Sequence, residues 1–171
     1  MTKIIGGAAQ KVVMAGPYDD GSGDYAPLEV VLVRPLGRGV LIDDEALNDS
    51  DKTLIVPDGY QYHVLSVFVE LTSTAAAGDR QIIVEAQDTS GDVIGQVRAG
   101  AVQAASLTYY YQFSPSCADL TAVRDTTFLM TPLPLWVLPA GYQLRIADSK
   151  AIAAAADDMI VQVVVLREAT V

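Results

Sequence analysis

His63 and Cys117 are the only histidine and the only cysteine among 171 residues, so acid–base or nucleophilic chemistry would have to be built around one of them or around carboxylates. A Ser-His-Asp arrangement is defined by geometry and could in principle form around His63. No Gly-x-Ser-x-Gly elbow accompanies it. His63 lies inside a strand-like run, on the side of Leu65 and Val67 by simple alternation, where a core or interface imidazole is the expected role and a hydrolase the remote one. Cys117, in Ser114-Pro115-Ser116-Cys117, has no neighbouring cation to lower its pKa and reads as a small buried thiol. A lone cysteine makes no intramolecular disulfide and no CxxC pair for zinc or redox work. The expectation is a protein that is not an enzyme, with no catalytic residue, no metal ligand and no cofactor.

The carboxylates and aromatics offer binding in place of catalysis. Asp19-Asp20-Gly21-Ser22-Gly23-Asp24 puts three carboxylates on one loop, hard oxygen ligands of the kind Ca²⁺ takes, but the twelve-residue spacing with a terminal Glu is missing. Whether that loop holds an ion stays open. Asp43-Asp44-Glu45, Asp49, Asp51 and Asp157-Asp158 read as solvated loop charge. Tyr109-Tyr110-Tyr111, Phe113 and Trp136 concentrate the aromatic area. Alternation places Tyr109, Tyr111 and Phe113 on one face and Tyr110 on the other, so one set should reach a surface, as an interface belt or as a carbohydrate platform.

Composition narrows the partners. The formal net charge is −10 and the pI about 4.3, which argues against nucleic acid and against an anionic membrane surface. A hydrophobic fraction of 51% and a mean hydropathy of +0.30 exclude global disorder and suggest that partners bury part of the apolar surface. The start Met1-Thr2-Lys3-Ile4-Ile5-Gly6-Gly7 lacks a charged segment followed by a long apolar stretch, and no run of 18 apolar residues occurs, so a soluble protein made in a cytoplasm is expected.

The elements that would position these residues divide at about residue 51. Glycines and prolines punctuate residues 1–51, where only Leu28–Val33 and Gly39–Ile42 read as strands, flanking Arg34-Pro35-Leu36-Gly37-Arg38 as a loose hairpin in an extended arm. Residues 52–171 alternate β-rich runs with turns: Thr53–Val56, Tyr60–Thr72, Gln81–Gln87, Val93–Val97, Leu107–Phe113, Thr127–Met130, Tyr142–Ala147 and Met159–Arg167. That pattern predicts an all-β fold, an antiparallel β-sandwich of jelly-roll type with an N-terminal arm. Gln81–Asp88 alternates as a half-exposed strand, with Ile82, Val84 and Ala86 inward and Gln81, Glu85 and Gln87 outward. Val56-Pro57-Asp58-Gly59-Tyr60-Gln61 and Leu138-Pro139-Ala140-Gly141-Tyr142-Gln143 repeat one turn chemistry and fit equivalent corners of the roll. Ala151–Ala156 is too short for a stable helix and reads as a loop with a helical turn.

Tyr60–Thr72 and Met159–Arg167 are apolar on both faces. A sandwich needs only one apolar face per sheet, so the second implies cover by the arm or by a neighbouring subunit. On this reading Leu28, Val30, Leu32, Val40 and Ile42 of the arm, with Tyr109 and Tyr111, form the interface, and the chain self-associates, with a trimer as the expected form.

The segments 138–149 and 153–163, with Asp20-Gly21-Ser22-Gly23, Pro27-Leu28-Glu29-Val30 and Gly37-Arg38-Gly39-Val40-Leu41-Ile42 of the arm, resemble small β-sandwich structural proteins of tailed bacteriophage virions, the capsid decoration (cement) proteins and tail components. The resemblance implies a virion protein that binds a major capsid protein or another virion protein and stabilises the capsid lattice through an arm laid on a neighbour. It implies no catalytic site. The alternative is a receptor- or glycan-binding module of a tail or head fibre, with the tyrosines as its binding face.

Overall fold

The computed structural model describes residues 37–115 and 126–170, and the protein over these residues is all-β. Its strands are β1 (Arg38–Asp44), β2 (Asp51–Ile55), β3 (Tyr60–Thr72), β4 (Ile82–Gln87), β5 (Val93–Arg98), β6 (Thr108–Ser114), β7 (Phe128–Pro132), β8 (Val137–Leu138), β9 (Gln143–Asp148) and β10 (Asp158–Ala169). One sheet has the order β1-β10-β3-β6-β7, with β8 paired to β3 beyond the end of β6; the other has the order β2-β9-β4-β5. The pairs nest. β4 lies against β5, β3 against β6, β2 against β9 and β1 against β10, all antiparallel. A chain paired this way is one long antiparallel ribbon rolled up so that successive ladders alternate between two sheets, which is a jelly roll. β7 and β8 are inserted before the chain returns to the second sheet, and β7 runs parallel to β6.

The repeated turn sequences make two of the crossings between sheets, β2 to β3 and β8 to β9. In each, the Tyr N–H donates to the Pro carbonyl three residues back, Tyr60 to Pro57 at 3.3 Å and Tyr142 to Pro139 at 3.1 Å. Gly59 and Gly141 carry φ of 77° and 79°, a left-handed value that a side chain would strain. The corners also bond to each other, Val56 N–H to Tyr142 carbonyl and Gly141 N–H to Val56 carbonyl, both 2.9 Å.

Period-2 alternation fills the space between sheets with Val67, Val69 and Leu71 of β3, Ile82, Val84 and Ala86 of β4, Tyr111 and Phe113 of β6, Ile146 of β9 and Val161, Val163 and Val165 of β10. Each of the larger side chains contributes about 1.5–3 kcal/mol by leaving water. Trp136 closes the side of the sandwich at β5. A Cβ on Gly95 would sit 3.2 Å from the indole, so only glycine admits the ring so closely.

The other end is closed by buried charge. Arg80 and Asp157 are both fully buried, and the guanidinium uses all its donors: Nε to Asp157 at 2.8 Å, Nη1 to the Ala76 and Gly78 carbonyls at 2.8 Å each, Nη2 to Thr74 Oγ1 at 3.3 Å and to Asp157 Oδ1 at 3.2 Å. Lys52, also buried, meets Asp44 at 3.2 Å, the Ala46 carbonyl at 2.8 Å and Asp49 at 3.4 Å. Asp44, Asp49 and Asp157 thus hold structural contacts where solvated loop charge was expected.

Three expectations change. Gly39–Ile42 does not belong to an arm: Arg38–Asp44 pairs along its length with β10, a partner far along the chain that local turn chemistry cannot reveal, and residue 51 already opens β2. β3 carries a bulge: Val164 faces Ser66 and Val165 faces Val64, so Leu65 is extra and the alternation reverses there. Val64 therefore points inward beside Val67, and His63 points outward. Glu85 and Gln87 lie on the outer face of β4 as expected, yet both are buried, because β4 is an interior strand whose neighbours supply polar cover. Ala151–Ala156 is a turn, with Ala156 and Asp157 N–H both donating to the Ala153 carbonyl.

Candidate functional site

The two sheets have outer faces of opposite character. On the four-stranded sheet the central row across β2, β9, β4 and β5 is Thr53, Arg145, Glu85 and Gln96. Arg145 reaches Asp51 at 2.6 Å and Glu85 at 2.9 Å, and Gln96 and Gln87 donate to the Glu85 carboxylate at 2.6 Å and 3.2 Å. The hydrogen bonds that Arg145 donates to Asp51 are the main cause that raises its pKa above the ordinary value, against a smaller opposing effect of burial. The central row of this face is a closed polar network, and the next row, Ile55, Gln143, Gln87 and Val93, leaves Ile55 and Val93 exposed at its two ends.

The outer face of the larger sheet reads differently. The register sets Leu41 opposite Val164, Gly39 opposite Leu166 and Ile160 opposite Glu70. Phe68 lies opposite Gln112 and Gln162, Glu70 opposite Tyr110, Tyr110 beside Phe128 and Gln112 beside Met130. Phe68 and Tyr110 stack at 6.3 Å between centroids, and Tyr110 and Phe128 at 6.4 Å, an aromatic ladder across three strands. Around it Ile160, Val164, Leu166 and Met130 are half-buried, and Leu41, Leu65 and Val137 are exposed. Alternation on these strands therefore gives an apolar core face and an outer face on which aromatic and aliphatic side chains alternate with Glu70, Gln112 and Gln162.

His63 sits at one rim of this surface, opposite Val137 and Leu166. Its Nε2 lies 3.2 Å from Glu168 Oε2 and 3.2 Å from Gln61 Nε2, and Gln61 Nε2 donates to the same carboxylate oxygen at 3.1 Å. Arg167 stacks 4.7 Å from the centre of the Tyr60 ring nearby. These contacts orient the imidazole by side chains of its own sheet. Among the described residues no cluster of three His, Cys, Asp or Glu is placed to hold a metal ion.

The residues singled out from sequence fall on both sides of the sheet. Val40 and Ile42 are half-buried and pack on the core, and Leu41 between them faces outward. Tyr109 packs against the core, and Tyr111 is buried within it, donating from its hydroxyl to Gln103 Oε1 at 2.9 Å. Burial pushes the Tyr111 phenol well above its ordinary pKa, helped by Tyr109 and Asp148. Alternation separates Tyr110 from its neighbours correctly but does not say which set faces out. Leu28, Val30 and Leu32, the Asp19–Asp24 loop and Cys117 lie outside the described residues. The outward residues Leu41, Phe68, Tyr110, Phe128, Met130 and Val164 were missed singly. The signal that finds them is the double apolarity of Tyr60–Thr72 and Met159–Arg167, which become the paired strands β3 and β10 at the centre of this face.

No known family pattern matches the sequence, and no curated protein is similar to it. Among solved structures, a chain of the crystal structure of the IBDV viral particle is similar over 92% of this chain and 42% of that chain, with 13% identity and a TM-score of 0.28. The chain thus spans less than half the length of that neighbour, and a likeness of this size carries no argument.

Proposed function

We propose that the chain is a structural protein of a virus particle, a decoration or cement protein that binds and stabilises the capsid lattice of a tailed bacteriophage. The observation that carries this reading is the contrast between the outer faces. One is centred on a satisfied polar network, and the other on the aromatic ladder Phe68, Tyr110 and Phe128 with Ile160, Val164, Leu166 and Met130 around it. A sheet face of that kind is matched to another protein surface, since contiguous exposed apolar area is uncommon on monomers. Jelly rolls occur in capsid proteins and also in lectins and cupins, so the fold is compatible with the reading without selecting it. Repetition on a shell lets each contact be modest while total attachment is strong.

The test is co-sedimentation of full-length protein with undecorated phage capsids. Phe68→Glu and Val164→Glu place charges on the outer face without touching the core. Losing roughly 1.5–3 kcal/mol of apolar burial at each site weakens attachment about 10- to 100-fold. Undiminished attachment of folded variants overturns the proposal. So does binding to a glycan that Tyr110→Ala abolishes, which would make the aromatic ladder a sugar platform.

A further inference from the structure

We infer that the protein surface docked on the outer face of the larger sheet presents an arginine to Glu70, its guanidinium paired with the carboxylate and packed against the ring of Tyr110. The inference rests on the capsid-binding reading of that face and names the chemistry of the group that the capsid protein brings to it.

Alternation sends Glu70 outward between two apolar neighbours, Ile160 on β10 and Tyr110 on β6, and Phe68 stands two residues before it on the same strand. Directly opposed side chains on a sheet lie about 4.5–5.5 Å apart at Cβ, so an aliphatic group and an aromatic ring wall the carboxylate. Glu70 is half-buried, and among the described residues it forms no hydrogen bond and no ion pair. Carboxylates on other strands differ. Glu85 accepts from Arg145, Gln96 and Gln87, and Glu168 accepts from Gln61 beside His63. Glu70 is thus the charged group at the centre of this face whose acceptor capacity the fold leaves open.

Docking takes that carboxylate out of water. An ionised carboxylate covered by apolar surface costs more than its neighbours gain unless a donor of opposite charge meets it. The charges that alternation turns outward on β1, β10 and β3 are Asp43, Asp158, Glu168, Glu70 and, at the rim, His63. A second copy laid face to face would set acid against acid, so the cation comes from a different protein.

The aromatic ladder selects arginine over lysine. Phe68 and Tyr110 lie within 20° of parallel and Tyr110 and Phe128 within 26°. A planar guanidinium packs against such rings while donating two hydrogen bonds to one carboxylate, whereas an ammonium acts as a hydrated point charge.

The experiment measures co-sedimentation of full-length variants with undecorated phage capsids, and thermal unfolding confirms the fold of each variant. Glu70→Gln keeps the shape of the side chain and removes its charge. It should weaken attachment about 30-fold or more, the effect of stranding one partner of a buried ion pair. Capsids whose arginines are blocked with a vicinal dicarbonyl should bind the native protein and Glu70→Gln at the same weakened level, and capsids with acetylated lysines should keep the difference between them. If Phe68→Glu weakens attachment and Glu70→Gln does not, the capsid reading stands and this inference fails. If neither weakens it, the reading fails and takes the inference with it. A difference that survives arginine blocking, or one that lysine acetylation erases, also overturns the assignment of arginine.

Discussion

Replacing Asp157 by Ala should remove more stability than its short side chain suggests. The carboxylate accepts hydrogen bonds from Arg80 Nε and Nη2 and from the backbone and hydroxyl of Thr74, the last two at 2.7 and 2.8 Å. Without it, Arg80 is a fully buried cation whose only remaining acceptors are neutral oxygens. Removing one partner of a buried pair typically costs about 3–5 kcal/mol, a large share of the roughly 5–15 kcal/mol that holds a domain together. Urea denaturation of the native protein and of Asp157→Ala measures the difference, and a loss below about 1 kcal/mol would refute the reasoning. Pairing Arg80→Met with Asp157→Leu should cost less than the two single changes together, because no buried charge is then stranded. The pH dependence follows the same contact. Burial alone would raise the Asp157 pKa, but hydrogen bonds from Arg80 and Thr74 outweigh it and leave the carboxyl below its ordinary value. A group depressed in the folded state stabilises fully above its unfolded pKa of about 3.9 and loses that contribution as pH falls through the lower folded value. Asp157→Asn should therefore show a flatter loss of stability below about pH 4 than the native protein.

A chain beginning at Gly37 should keep the sandwich, whereas one beginning at Lys52 should not fold stably, because it loses β1 and all three acceptors around Lys52; circular dichroism melts compare the two. Gly95→Ala should lower stability by about 1–3 kcal/mol and shift the emission of Trp136, the only tryptophan, since the added methyl meets the indole at 3.2 Å. His63→Gln should fold normally and leave any hydrolytic activity of a purified preparation unchanged, and a loss of such activity in the folded variant would contradict a non-catalytic His63.

Local chemistry carried the legible part of this fold. Eight strand runs, the twin Pro-x-Gly-Tyr corners and the inward set Ile82, Val84 and Ala86 all follow from alternation and turn residues. Pairing is another matter. Gly39–Ile42 reads as part of an arm from its neighbours in sequence, and only β10, more than a hundred residues away, places it in the sandwich. The bulge at Leu65 reverses the parity on which the placement of His63 depended, and no residue type announces it. Glu85 reads as solvent-facing until Arg145 and Gln96 arrive from neighbouring strands. The apolar outer face was legible as a property of two strands and illegible as a list of residues, because the choice between Tyr110 and its neighbours depends on which side the second sheet packs.

The nested pairing sets an order of assembly in time. Ile83 meets Arg98 across one short turn, whereas Val40 meets Val165 across nearly the whole domain. Closing the outer pair first would cost about 2 kcal/mol more in loop entropy than closing the inner one, so the ribbon zips from the Asp88–Asp92 turn outward and β1 docks last. Run backward, β1 frays first, and amide hydrogen exchange should release its protons well before those of β4.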